Sequence, residues 1–363
     1  MPVGGHLMAT RRVMVAMSGG VDSSVAAALV QETGHDVVGV TLRLWGGESD
    51  SGCCSVSDVD DARRVADALG IDHHVFNMSD DFNRHVVEPY VADHAAGRTP
   101  NPCVECNRHI KFDRLLRRAQ SLGFDRLVTG HHARVVEISD GTRRIARAVD
   151  PGKDQSYVLH MLDQEVLACL DLPVGEMSKE DVRKRAKTLG LRTANKPDSQ
   201  DVCFITSASR GGGGRREFLR RRIPLTAGRV VDGSGAEVGR VDAVEMVTLG
   251  QRKGMDLAGG NTPRYATAVD TTTATVTVGP AADLFVDTTP VSGAGWANRP
   301  VEGRVLVQTS AHGKPASAFL QVESSVEEGQ MLVRWDEPHR KVAPGQSVVF
   351  YQGTLVLGGA LAC

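Results

Sequence analysis

The chain has 363 residues, a formal net charge of −2 and 41% hydrophobic residues. That length allows two or three domains, and no apolar run reaches the ~20 residues a membrane-spanning helix needs. The near-neutral charge gives no overall pull toward nucleic acid, so an RNA site has to be a local basic patch. Met1–Arg12 lacks an apolar core segment, and seven cysteines without a secretion signal argue against a disulfide scaffold. They argue instead for thiol chemistry or metal binding in a reducing, cytoplasmic compartment.

Val13–Met17 reads as a buried strand, followed by Ser18-Gly19-Gly20-Val21-Asp22-Ser23-Ser24 and the alanine-rich Val25–Val30, a predicted helix. A strand, a glycine turn and a helix start form an anion site, because free N–H groups and the positive helix end point the same way. Gly19 and Gly20 allow close backbone approach, and Ser18, Ser23 and Ser24 add hydroxyl donors. The lysine of the common P-loop is missing, so this loop is poorly built to stabilise a departing γ-phosphate. It suits holding pyrophosphate as a leaving group while the α-phosphate is attacked, with Asp22 available to Mg²⁺.

Further along, Asp36–Trp45 and Asp72–Met78 are predicted strands, and Asp58–Leu69, Phe82–Ala96 and Ile110–Leu122 are predicted helices. Asp125–Thr129 is a short strand ending at Gly130-His131-His132. This alternation predicts an α/β domain with a parallel sheet, ligand at the carboxyl ends of the strands. Gln155–Leu189 reads as helical, with a capping box at Ser178 and Asp181. From about Ile223 the texture is all-β: a small sheet with strands at Arg229–Val231, Ala243–Thr248, Arg264–Val269 and Thr275–Val278. A barrel follows, from Val301–Gln308, Ala318–Val322, Met331–Trp335 and Ser347–Tyr351. The expected domains are 1–210, with a helical part at about 154–210, then 211–285 and 286–363. Their linkers fall near Ile205–Gly214 and Pro280–Pro290.

One basic stretch runs through Arg183, Lys184, Arg185, Lys187, Arg192 and Lys196 to Arg210, Arg215, Arg216, Arg220, Arg221 and Arg222. A second holds Arg134, Arg143, Arg144, Arg147 and Lys153. Both are candidate phosphate contacts, weighed against ordinary solvated faces. Cys103 and Cys106 follow two prolines, and a helix start with nearby Arg108, His109 and Lys111 would raise the thiolate fraction of Cys106. Cys203 lies beside the basic stretch, while Cys54 and Cys169 read as structural. A zinc ribbon is disfavoured, since a second C-x-x-C is absent. Cys103, Cys106 and Cys203 could hold an iron–sulfur cluster with an open position, or act as a redox-cycling persulfide pair. These two readings stay open at this point.

The loop resembles the PP-loop of the ATP pyrophosphatases, and the whole chain resembles the bacterial tRNA-specific 2-thiouridylases. The match includes Ala16–Ser24, Gly97–Pro102, Cys106-Asn107, Ile110-Lys111-Phe112, Thr129–Ala133 and Lys153–Tyr157. It continues through Asp198-Ser199, Cys203-Phe204-Ile205, Thr248–Gly254 and Pro344–Ser347. The resemblance implies ATP-dependent 2-thiolation of uridine 34 in the tRNA anticodon loop. Other PP-loop enzymes, an iron–sulfur tRNA thiolase or a small-molecule synthetase, are the alternatives.

By that resemblance Ala16, Met17, Ser18, Gly19, Gly20, Val21, Asp22 and Ser23, with Leu42 and Gly130, bind ATP with Mg²⁺. Cys106 is the nucleophile and Cys203 carries a persulfide from a cysteine desulfurase or sulfur-relay partner. His131, Lys153, Asp154, Gln155 and Gln346 contact tRNA, and Asn101, Pro102 and Cys103 line the target-base pocket. Cys103 stands where many members have an acid/base aspartate, and Ser310-Ala311 stands where many have an Arg-Tyr pair reaching tRNA.

Overall fold

The structure, a computed structural model, describes residues 10–44, 56–198, 202–205, 214–258, 262–322 and 330–363. Expectations for Cys54, for Ser199 and for Arg210 with most of the Ile205–Gly214 linker lie outside those residues. Two compact units emerge. The first comprises Met1–Phe82, His109–Ser156 and Gln164–Phe204; the second comprises Asn83–Arg108, Tyr157–Asp163 and Ile205–Cys363. No helix among the described residues is long and apolar enough to cross a membrane.

The first unit is built on strands β1 (Arg12–Ala16), β2 (Asp36–Arg43), β3 (Asp72–Asn77) and β4 (Arg126–Thr129). A hairpin of β5 (Ala133–Glu137) and β6 (Arg143–Arg147) follows, then the two-residue β7 (Leu170–Asp171). The sheet order is β3-β2-β1-β4-β7, every pairing parallel. All six inner residues of β2 are buried, as expected for a strand covered on both faces. The edge strand β3 is polar and mostly exposed. Val13, Val15, Val25, Ala26, Val65 and Val182 belong to one core that joins the sheet to helices Val21–Gln31, Val56–Leu69 and Lys179–Thr188.

The predicted helical stretch Gln155–Leu189 is broken into short pieces, one of them β7. Pro173 cannot continue a helix, and Gly175 passes so close to Ala133 that a Cβ would lie 1.7 Å from its carbonyl oxygen. The β5–β6 hairpin goes beyond the sequence expectation, in which its arginines read as a basic patch.

The second unit holds a small sheet and a barrel. β8 (Gly228–Val231), β9 (Glu237–Val241), β10 (Tyr265–Asp270) and β11 (Thr275–Gly279) run in the order β10-β11-β8-β9. The expected strand at Ala243–Thr248 is instead a 3-10 turn at Val244–Met246. The buried Glu245 carboxylate accepts the Thr226 amide at 3.0 Å, which bends the chain there. The barrel closes through β12 (Phe285–Trp296), β13 (Gly303–Gln308), β14 (Ala316–Val322), β15 (Met331–Arg340), β16 (Ser347–Gln352) and β17 (Leu355–Ala362). All pairings among these strands are antiparallel, and β12 pairs with both β15 and β17. That double pairing closes the sheet on itself, so each of the six strands has two neighbours.

Candidate active site

In the first unit the glycine loop joins the end of β1 to the N-terminus of helix Val21–Gln31. Gly20 is the N-cap and supplies no side-chain cap, so the first helical N–H groups face outward for an anion. Gly19 has φ +71°, and a Cβ there would lie 2.2 Å from the Asp58 carbonyl oxygen. A Cβ on Gly130, just past β4, would lie 2.5 Å from the Ser23 nitrogen. Only glycine fits either place. The serines differ from expectation: the Ser24 hydroxyl donates to the Gly20 carbonyl at 2.8 Å and that of Ser23 to the same oxygen at 3.2 Å. Both are buried, so they shape the loop, and Ser18 alone among the three is exposed. Ala16 and Val21 border the loop, with Met17 and Leu42 largely buried behind it.

Asp22 does not stand alone. Lys179 Nζ lies 2.7 Å from both its carboxylate oxygens, and His132 Nε2 lies 3.0 Å from Oδ1. Burial pushes the Asp22 carboxyl up, but the hydrogen bonds from His132 and Lys179 outweigh it and hold the group below its usual value. Lys179 is also 2.8 Å from Asp198, which further accepts from Lys153 and Arg183, each at 2.8 Å. Burial raises Asp198 too, yet Lys153 and Lys179 lower it to about 2. The placement of Lys179 follows from local sequence. Ser178 caps the helix by accepting the Asp181 amide at 3.1 Å, confirming the capping box, and the Lys179 amide donates to Asp150.

Sequence reasoning assigns no role to the side chains of Lys179, His132 and Asp198. A lysine in the first turn of a helix opposes the helix dipole, and that is the signal the sequence offers. Mg²⁺ fits here only as a shared ligand: Asp22 would give one carboxylate and nucleotide phosphates the remaining oxygens. No group of three metal-ligating side chains comes together among the described residues.

The expected RNA contacts of this unit are largely engaged inside it. His131 is 7% exposed, with Nδ1 2.6 Å from the Thr129 hydroxyl, and burial pushes its pKa well below the ordinary value. The Asp154 carboxylate accepts from Arg147, the Ala148 amide and Ser156. Gln155 pairs with the His132 backbone through its own amide at 2.7 Å and its side-chain oxygen at 2.8 Å. Thus Lys153, Asp154 and Gln155 are each bonded within the unit, Lys153 to Asp198. Cys203 is half-buried, and the adjoining Phe204 packs edge-on against Phe82 at 5.6 Å.

In the second unit, Asn101 caps the helix Pro102–Glu105 by accepting the Cys103 and Val104 amides. The helix continues as a π-helix over Cys106–Leu115 and an α-helix over Leu116–Ser121. Cys106 is therefore a turn inside the helix and 8% exposed, not at its start as expected; the exposed Cys103 sits in the first turn. Such wide helical turns recur at functional sites. Gln346 directs its side-chain amide at the Thr99 carbonyl, 3.4 Å away, and the Thr99 amide donates to the Pro344 carbonyl at 2.8 Å. Gln346 thus braces the length of chain leading to Asn101 and the buried Pro102.

The basic stretches are reduced by the same accounting. Arg183 and Lys196 are held by Asp198, Asp58 and Asp61, and Arg185 by Glu32. Arg220 and Arg221 share Glu217, Arg216 pairs with Asp242, and Arg215 donates to the Met246 carbonyl. Arg222 lies over the Phe218 ring, while Arg134, Arg143, Arg144 and Arg147 bond within or beside the β5–β6 hairpin. Lys184, Lys187 and Arg192 remain exposed.

A glycine loop at the carboxyl end of a parallel sheet, with an uncapped helix start and a charged cluster around one aspartate, defines a nucleotide-binding α/β protein. Comparison with known proteins agrees. Residues 11–207 match the family model described as tRNA methyl transferase HUP domain, 216–280 the tRNA methyl transferase PRC-barrel domain, and 287–362 the aminomethyltransferase beta-barrel domain. The chain is 46% identical over 356 residues to the tRNA-specific 2-thiouridylase MnmA of Chloroflexus aurantiacus, covering 96% of this chain and 97% of the relative. It is 44% identical to the protein of the same name from Roseiflexus sp., covering 96% and 98%. The counterpart from Paenarthrobacter aurescens is also 44% identical, covering 96% of each. The chain belongs to the tRNA-specific 2-thiouridylase family.

Proposed function

We propose that this chain catalyses ATP-dependent 2-thiolation of uridine 34 in tRNA. The observation that supports this most is the glycine loop: an uncapped helix start beside an Asp22–Lys179 ion pair, within a chain similar over nearly its full length to 2-thiouridylases. The uridine C2 oxygen is a poor leaving group as it stands. Its attack on the α-phosphorus of ATP breaks the bond to the bridging oxygen and releases pyrophosphate, leaving AMP on the oxygen.

The loop N–H groups and Lys179 offset phosphate charge. Mg²⁺ bound at Asp22 would add Lewis-acid neutralisation of the phosphates. Cys203 receives sulfur as a persulfide from a donor such as a cysteine desulfurase or relay protein. The Cys106 thiolate attacks the Cys203 sulfur, forming a disulfide and expelling hydrosulfide, which adds at C2 as AMP departs. An external thiol reductant returns both cysteines to thiols. The target base is splayed out of its loop toward the Asn101–Cys103 segment.

We assign catalysis and nucleotide binding to residues 1–210, with smaller parts at 211–285 and 286–363, in a cytoplasmic protein. The test is release of AMP and pyrophosphate from ATP with and without unmodified tRNA, followed by nucleoside analysis. Release strictly dependent on tRNA, with 2-thiouridine at position 34 once a sulfur donor is added, is expected. Release driven by a small metabolite without tRNA overturns the reading.

A further inference from the structure

We propose that the loop Thr248–Gly254 of the second unit forms, with Arg340, a surface that binds backbone phosphates of the tRNA. Arg252, Lys253 and Arg340 are its contacting cations and Gln251 is a positioning residue. This rests on the function proposed above and extends it to how the substrate is held. The loop leads from the turn at Val244–Met246 to β10. Gln251 fixes it with all four of its polar groups. Its backbone amide donates to the Thr248 carbonyl at 3.0 Å, and its own carbonyl accepts the Ala266 amide at 2.9 Å. Its side-chain oxygen accepts the Thr248 amide at 3.1 Å, and its side-chain nitrogen donates to the Lys253 carbonyl at 2.8 Å. The Gly250 amide adds a bond to the Ala266 carbonyl at 2.8 Å. Arg252 and Lys253 come next in the chain, and both are exposed. Arg340, at the end of β15, is exposed too. Its guanidinium lies 5.7 Å from the centre of the Tyr265 ring, and its Nη2 lies 3.8 Å from where a Cβ on Gly250 would stand.

Such bracing fixes where two cations stand, which an ordinary solvated loop tip does not require. The charges point the same way. In the second unit Arg98, Arg216, Arg220, Arg221, Arg240 and Arg304 each have a carboxylate partner. Arg252, Lys253 and Arg340 have no ion pair among the described residues. Like charges gathered without an acid repel one another, and a bound polyanion offsets that cost. Phosphate suits the set: a guanidinium fork pairs with two phosphate oxygens at once, and the lysine meets one as a point charge. A chain of net charge −2 has to bind RNA through a local patch of this kind. Phosphates rather than bases are the ligand, because the loop carries no aromatic side chain for a base to stack on and Arg340 already covers Tyr265. A phosphate contact made equally before and during the reaction lowers the KM for tRNA and leaves kcat unchanged.

The experiment uses the full chain and unmodified tRNA, with filter binding across a salt series and steady-state AMP release. Arg252→Gln combined with Lys253→Gln should weaken tRNA binding about tenfold or more at low salt and reduce the slope of log affinity against log salt by about 2. The KM for tRNA should rise by a similar factor, with kcat at saturating tRNA and the KM for ATP unchanged. Arg340→Met should reduce the slope by about 1. Gln251→Ala keeps all three charges, yet should also lower the slope, because the cations no longer stand together; a purely structural role would move the urea midpoint and not the slope. Arg240→Gln, an exposed arginine of the same small sheet paired with Glu237, should leave the slope as it is. A wild-type slope in the double variant, or a fall in kcat with the KM for tRNA unchanged, overturns the proposal. Wild-type tRNA affinity together with failure to accept sulfur from a donor protein also overturns it and gives the loop to a protein partner. Wild-type protein that binds no tRNA, or releases AMP without it, overturns the function and this reading with it.

Discussion

The Lys179 ammonium lies 2.7 Å from each carboxylate oxygen of Asp22, 157 positions away in the chain. The glycine loop lacks a lysine of its own, and the fold supplies one from the first turn of a distant helix. Asp22→Ala should abolish AMP formation while tRNA affinity stays near wild type. Lys179→Met should lower adenylation about 10²-fold or more, the scale of losing one preorganised charge interaction. Single-turnover AMP release measures both, and wild-type rates in either variant would remove that residue from the reaction.

Two glycines in the left-handed region separate strain from function. Gly34 has φ +77° and open space within 4 Å of where a Cβ would stand, whereas Gly19 has φ +71° and meets Asp58. Gly34→Ala should cost about 1–2 kcal/mol of stability with ATP binding unchanged. Gly19→Ala should weaken ATP binding by about 10²-fold, because the loop or the start of helix Val56–Leu69 has to move. Equal ATP affinities in the two variants would contradict this.

For RNA binding, the exposed Lys184, Lys187 and Arg192 are expected to matter more than the paired Arg220 and Arg221. Neutralising the first three should reduce the slope of log affinity against log salt by about 1 for each phosphate that no longer meets a cation. Neutralising Arg220 and Arg221 should change it little. Filter binding of the tRNA from low to moderate salt decides, and the opposite ranking would place the RNA on the Gly214–Arg220 helix.

Stability should fall with mild acid. His94 and His160 are 4% and 2% exposed. Burial, aided by Arg215 near His94 and Arg108 near His160, lowers them to about 4 and about 3. Histidine in the unfolded chain titrates near 6.5, so below that pH the unfolded state takes up protons the folded state refuses. Their contribution is complete above about pH 6.5 and is lost as pH falls toward these folded values, at roughly 1.4 kcal/mol per pH unit for each. Both ring nitrogens of His160 lack hydrogen-bond partners among the described residues, so His160→Leu should flatten the dependence at little cost near pH 7. Urea midpoints between pH 7 and 5 provide the check; an unchanged slope argues against the assignment.

Sulfur transfer divides by cysteine. Cys203→Ser should still adenylate tRNA yet take no labelled sulfur from a persulfide donor. Cys106→Ser should load Cys203 and stall before 2-thiouridine forms. Cys103→Ser, at an exposed first-turn position, should keep most activity, and complete loss together with loss of bound iron would favour a cluster mechanism.

Sequence by itself determined the strand–loop–helix of Ala16–Ser24, the parallel sheet and the β-rich second half. Each rests on local periodicity or on glycines whose spacing has few uses. It also marked Ser178 and Asp181 as a helix start, since a cap is decided by neighbours in the chain. It misplaced Cys106 relative to its helix start because Asn101, not the prolines alone, fixes where that helix begins. It overlooked β12 and β17, whose glycines, proline and threonines gain strand structure only from pairing around a closed barrel. Apart from the local pairs of Glu217 with Arg220 and Arg221, the fate of the charges was decided by tertiary structure. Arginines in a string look alike until distant carboxylates arrive, as Asp242 does for Arg216 and Asp198 for Arg183. Lys179, Asp22 and Asp198 meet because a helix, a loop and a turn converge, and ion pairs fall off with distance in space, not along the chain.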